Sequence, residues 1–152
     1  MEFIDLKTQY QTYKKEIDQR MRKVVDHGQF IMGPEIDELE HILANYVGVK
    51  HCITVSSGTD SLEIALRALD IGAGNEVITV PFSWISSAEV IAAVGATPVF
   101  IDIKPDTFNM DPDLLEEAIT ENTKAIMPVS LFGQMADMET INTIAGKYNI
   151  PV

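Results

Sequence analysis

Between residues 8 and 27 apolar side chains recur at Tyr13, Ile17, Met21, Val24 and Val25. That is the three-to-four spacing of a single helix face, and Gly28 then supplies a stop. A second helix is predicted from Pro34, with Ile36, Leu39, Leu43 and Tyr46 on one side and Gly48 after it. The link between the two, GQFIMG, is short and carries an aromatic, Phe30.

From His51 onward the texture changes to short β-branched runs alternating with helical patterns, the signature of a parallel α/β sheet. The strand candidates are HCITV, EVITV, PVFIDI and KAIMPV. Between them lie a helix beginning near Thr59 with Leu62, Leu66 and Leu69 inward, and another containing Ile85, Val90, Ile91 and Val94 before Gly95. A further helix is opened by Asp111 and Pro112, and the last runs from about Asp137 to Tyr148. Apolar runs without polar alternation suit strands covered by helices on both faces, so the sheet is expected to be central. The predicted division is an N-terminal helical segment over 1–50 and a partial α/β domain over 51–152. The sequence stops at Asn149-Ile150-Pro151-Val152, where a helix has finished and a new strand would begin. This predicts a piece of a longer protein whose sheet edge is left unpaired.

Composition narrows the function classes. A net charge of −12, with eleven scattered basic residues, argues against a nucleic-acid surface, which needs clustered Lys and Arg to neutralise phosphates. The N-terminus interleaves charges with apolar residues, unlike a secretory signal, and no apolar run approaches the ~20 residues of a membrane span. No membrane partner and a cytoplasmic location are expected. Cys52, alone in an apolar stretch, reads as a buried structural thiol. His27, His41 and His51 show no zinc-site spacing, so no metal is assigned.

In parallel α/β sheets ligands gather at the carboxyl ends of the strands. Three loops qualify: Ser56-Ser57-Gly58-Thr59-Asp60, Pro81-Phe82-Ser83-Trp84 and Ser130-Leu131-Phe132-Gly133-Gln134. In the first, free backbone amides and the helix dipole would attract an anion, with Gly58 allowing close approach and Thr59 adding a hydroxyl donor. A simple helix cap built by Ser56 or Ser57 explains the same residues, and both readings stay open here. Trp84, the chain's sole tryptophan, follows a strand where its flat face could cover a ring-shaped ligand; the alternative is that it belongs to the core. Gly72-Ala73-Gly74 precedes a strand and lacks a third glycine, so it is a turn and no dinucleotide fingerprint. Glu116-Glu117 reads as a solvated helix face.

Several ordered segments together resemble one family, the DegT/DnrJ/StrS nucleotide-sugar aminotransferases of the aspartate-aminotransferase fold. They are FIDLKTQY, HGQFIMGPE, SSGTDSLEIAL, GAGNEVITVPFSW, VGATPVFIDI, TFNMDP, ENTKAIMPVSLFGQMADM and KYNIPV. The resemblance implies N-terminal helices followed by part of the mainly parallel-sheet large domain of a fold type I enzyme dependent on pyridoxal 5'-phosphate. It implies that Gly58 and Thr59 hold the cofactor phosphate and that Trp84 stacks on the pyridine ring. The HGQF segment is similar to one that reaches the active site, making Gly28 and Phe30 candidates for sugar-nucleotide contact. The string HGQFIMGPE is most similar to enzymes that install an amino group at C3 of a UDP-sugar acid for surface polysaccharide, such as lipopolysaccharide O-antigen. Also implied are a homodimer, a keto-sugar nucleotide and glutamate as substrates, a lysine bonded to the cofactor and an acid at the pyridine nitrogen. None of the eight lysines matches the family position, so no catalytic residue is assigned and these 152 residues alone are expected to be inactive. Sugar dehydratases of the same family, with histidine in place of that lysine, and a non-catalytic phosphate-binding module remain alternatives.

Overall fold

A computed structural model of the chain describes residues 3–152. They form two compact units, divided between Thr54 and Val55.

The first unit is a pair of helices, α1 (Leu6–His27) and α2 (Pro34–Val47). Asp5 caps α1 by accepting from the Thr8 amide at 2.9 Å. Gly28 and Gly48 end the two helices in the left-handed conformation, at φ 71° and 79°, where a Cβ would be penalised. Little is buried here. Helix α1 has no buried residue, and of its expected apolar face Tyr13, Ile17, Met21 and Val25 are exposed while Val24 is half-buried. Ion pairs join the helices instead, Arg20 to Glu38 at 3.2 Å and Lys23 to Glu35 at 3.1 Å, and His27 Nε2 is hydrogen-bonded to the Glu35 carboxylate at 3.2 Å. Glu40 of α2 accepts both the amide and the hydroxyl of Thr54 at 2.8 Å.

The second unit is a three-layer α/β arrangement. Its sheet has the order β2-β1-β3, all parallel, with β1 at Glu76–Thr79, β2 at Thr97–Phe100 and β3 at Thr123–Ile126. Helices α3 (Gly58–Ala68) and α4 (Ser86–Ala93) supply one core: Leu66, Val90 and Ile91 pack with Val77 of β1 and Ala125 of β3. On the opposite face α5 (Leu115–Ala118) and α6 (Met138–Tyr148) bring Leu115, Ile141 and Ile144 against Ile78 of β1 and Ile126 of β3. Adjacent strand residues therefore feed separate cores, as the two-residue period of a strand requires. The chain leaves β1 through α4 on one face and leaves β3 toward α6 on the other. This places a topological switch between the carboxyl ends of β1 and β3, where parallel sheets open a crevice.

The central sheet agrees with the pattern of apolar runs, and several details differ from it. HCITV makes no ladder: among the described residues it has no strand partner, so its backbone stays outside the sheet, with Ile53 exposed and Cys52 half-buried. The helix opened by Asp111 and Pro112 is only a 3-10 turn, Pro112–Leu114, running into the single turn of α5. Leu69 and Ile85 are exposed because each flanks its helix and falls outside its buried stripe. Beyond α6 the Pro151 carbonyl accepts the Ile126 amide at 3.0 Å, which brings the chain's last residues alongside β3.

Candidate functional site

The loop before α3 is built as a helix cap that leaves donors free. Ser57 Oγ accepts the Asp60 amide at 3.1 Å, and the Ser57 carbonyl accepts the Ser61 amide. Gly58 and Thr59, the first residues of the helix, precede any carbonyl of α3 that could take their amides, and neither amide finds a partner among the described residues. The cap and the anion cradle are thus compatible: Ser57 occupies one amide and the dipole end keeps two others available. A Cβ at Gly58 would meet nothing within 4 Å, so the backbone there is open to an incoming group. Asp60 turns its carboxylate to the Ser56 hydroxyl. That bond, followed by the Ser57 hydroxyl, holds the Asp60 carboxyl below the ordinary aspartate range.

The loop after β1 meets this cap. Thr59 Oγ1 lies 3.0 Å from Ser86 Oγ, joining the start of α3 to the start of α4. Ser86 is buried at 7% exposure, whereas Thr59 is open to solvent. Around it the loop is wound tightly: Ser83 and Ser87 hydroxyls are 3.0 Å apart, and the Ser87 amide donates to the Trp84 carbonyl at 3.1 Å. Trp84 itself, two residues before Ser86, is 76% exposed. Its indole is therefore no core side chain; it stands free on a backbone that is held in place.

The loop after β3 is shaped by contacts that the sequence pattern does not announce. Gly133 turns at φ 76°, its amide donating to the Ser130 carbonyl, and Ser130 Oγ accepts the Ala136 amide at 3.2 Å. Asn109, 4% exposed, donates from Nδ2 to the Gln134 and Met135 carbonyls at 3.1 and 3.2 Å. Three rings gather beside it, with Phe108 5.7 Å from Phe82 and 5.8 Å from Phe132 between centroids. Phe108 sits at φ 60°, a left-handed conformation that a bulky side chain adopts only when its surroundings hold it.

Of the candidate residues, the structure brings the Gly58–Thr59 cap together with the loop bearing Trp84. Gly28 and Phe30 belong to the first unit. There Gly28 caps α1, the Phe30 amide donates to the Gly28 carbonyl at 3.2 Å, and the Phe30 ring is 67% exposed. His27 braces this turn, its Nδ1 accepting the Gln29 amide at 3.0 Å. Ser86, Asn109 and His27 escape sequence reasoning because their partners are set by the fold. The only local hint for Ser86 is a pair of hydroxyl residues opening a helix that is apolar apart from them and Glu89.

Comparison with known proteins supplies an independent line. The profile of the DegT/DnrJ/EryC1/StrS aminotransferase family matches residues 11–152. The UDP-2-acetamido-2-deoxy-3-oxo-D-glucuronate aminotransferase of Pseudomonas aeruginosa is 55% identical over 152 residues, all of this chain and 42% of its own length. The crystal structure of DesV from S. venezuelae superposes with a TM-score of 0.94 at 39% identity, covering 98% of this chain and 40% of DesV. NtdA from Bacillus subtilis, solved with bound cofactor PMP, gives a TM-score of 0.87 at 39% identity over 90% of this chain and 31% of its own. The chain thus spans about two fifths of the length of the curated relatives it matches.

Proposed function

Because this chain belongs to the DegT/DnrJ/EryC1/StrS aminotransferase family, we propose that it forms the N-terminal, cofactor-cradling part of a pyridoxal-phosphate-dependent nucleotide-sugar aminotransferase. The observation that carries this reading is the meeting of the Gly58–Thr59 cap with the Trp84 loop through the Thr59–Ser86 hydrogen bond. The residues fit the cofactor. Two free amides and an exposed hydroxyl at a helix start suit a phosphate, and an exposed indole on the adjoining loop suits the face of an aromatic ring. When bound, the cofactor supplies the electron-withdrawing ring on which amino transfer depends. The chain's own residues anchor and orient it: Gly58 and Thr59 hold the phosphate, and Trp84 covers one ring face and excludes water from it.

The substrate side of the proposal rests on likeness to the Pseudomonas aeruginosa enzyme, whose name specifies a 3-oxo UDP-sugar acid. We assign a keto-sugar nucleotide as acceptor, glutamate as amino donor, and Gly28 and Phe30 as residues of the substrate entrance. The working unit is a cytoplasmic homodimer serving surface polysaccharide or related glycan synthesis. No helix among the described residues is long and apolar enough to cross a membrane.

The test uses the complete gene product with pyridoxal phosphate, glutamate and a 3-oxo UDP-sugar acid, following the aminated sugar by mass spectrometry. Glutamate-dependent product supports the assignment. Retention of cofactor with no amination of any 3-oxo sugar nucleotide would sink the substrate, and failure to retain cofactor would sink the site. Trp84→Ala should weaken cofactor retention by about two- to tenfold, from a stacking contribution of ~0.5–1.5 kcal/mol, while Trp84→Tyr keeps most of it.

A further inference from the structure

We propose that Ser86 is a positioning residue for the phosphate site, fixing the Thr59 hydroxyl as a donor toward the ligand. The proposal rests on the reading that Gly58 and Thr59 hold the cofactor phosphate, and it concerns how that site is made ready. Thr59 is exposed at the mouth of the cap, and a solvent-exposed threonine hydroxyl ordinarily shares its time among rotamers and water partners. Here its Oγ1 lies 3.0 Å from Ser86 Oγ, a group 7% exposed on a helix whose Val90 and Ile91 are locked in a core.

Proton counting sets the direction of the chain. A hydroxyl carries one proton and two acceptor lone pairs, while the oxygens of an ionised phosphate only accept. Once Thr59 spends its proton on the phosphate, the 3.0 Å contact survives only if Ser86 donates to Thr59 Oγ1. Ser86 then polarises the Thr59 O–H as well as aiming it, because hydrogen bonds in series strengthen one another. Burial matters to this arrangement: water has little access to take the place of the Ser86 hydroxyl.

The experiment compares Ser86→Ala, Thr59→Val and the double variant in the complete gene product. It measures equilibrium affinity for pyridoxal phosphate and, as a probe lacking the phosphate, for pyridoxal. Ser86→Ala should weaken pyridoxal phosphate by about two- to tenfold, the worth of one hydrogen bond, and leave pyridoxal unchanged. The double variant should match Thr59→Val, since Ser86 acts only through Thr59. If Thr59→Val weakens the phosphate ligand and Ser86→Ala does not, the positioning role is wrong while the phosphate site stands. Equal weakening of both ligands by Ser86→Ala makes Ser86 a general structural residue and overturns the proposal. An unchanged Thr59→Val removes the phosphate reading and this inference with it. Should Ser86→Ala fold poorly, Ser86→Cys keeps the shape with a weaker donor, and the same split between the two ligands decides.

Discussion

Gly58→Ala pulls apart the two demands placed on the start of α3. The residue opens the helix, its φ lies outside the left-handed region, and an added Cβ would meet nothing within 4 Å. For the fold alone alanine is the better choice, stabilising by about 0.4–1 kcal/mol through loss of freedom in the unfolded chain. That corresponds to a rise of about 1–4 °C in melting temperature. For the proposed phosphate grip it is the worse choice, because the open space over the Gly58 and Thr59 amides is where the anion must approach. Losing one amide-to-phosphate bond, with its charged acceptor, costs about 1.5–3 kcal/mol. In affinity this is roughly ten- to a hundredfold. Differential scanning of the cofactor-free gene product and equilibrium dialysis with pyridoxal phosphate read the two effects separately. A variant that melts higher and binds the cofactor within twofold of the parent would refute the site. One that melts lower would contradict the open surroundings of Gly58.

Other outcomes follow from particular contacts. Gly33→Ala places a Cβ 2.5 Å from the Gln29 carbonyl oxygen, so the 28–33 turn must shift, and hydrogen exchange at the Gln29 and Phe30 amides should accelerate; unchanged exchange would refute the crowding. Asn109→Ala removes the donor of the Gln134 and Met135 carbonyls and should lower stability by about 1–3 kcal/mol in denaturant unfolding, against an expectation of almost no change were the contacts incidental. The Thr54 amide, and then its hydroxyl, hold the Glu40 carboxyl below its ordinary 4.5. A depressed carboxyl stabilises above 4.5 and loses that contribution as pH falls through its folded value, so the Thr54 amide resonance should titrate in that acid range. Glu40→Gln should abolish the titration, and a flat Thr54 response in the parent chain would count against the bond.

What could be read from sequence was what local periodicity encodes. The stops at Gly28 and Gly48, the cap at Asp137 and the run EVIT all report conformations settled within a few residues. HCITV has the same β-branched texture as EVITV, yet a strand exists only where a ladder partner is present, and that is a property of distant chain. The site divides in the same way. Gly58 and Thr59 announce themselves through a strand-to-helix turn, and Trp84 through its position after β1. The Ser86 hydroxyl lies against a threonine twenty-seven residues earlier, and Asn109 reaches carbonyls about as far ahead, so no window of sequence contains either pair. Phe108 at φ 60° is equally silent, because nothing in TFNMDP distinguishes a strained aromatic from an ordinary loop residue.

The alternation of β1 also limits how this chain can change over generations. Val77 serves one core and Ile78 the other, and both are fully buried. Adding or deleting one residue within Glu76–Thr79 would exchange the two sets at a stroke, turning every inward contact of the strand toward the wrong layer. Length variation is therefore confined to the connecting segments at either end, while the strand can drift only by swapping one apolar side chain for another of similar volume.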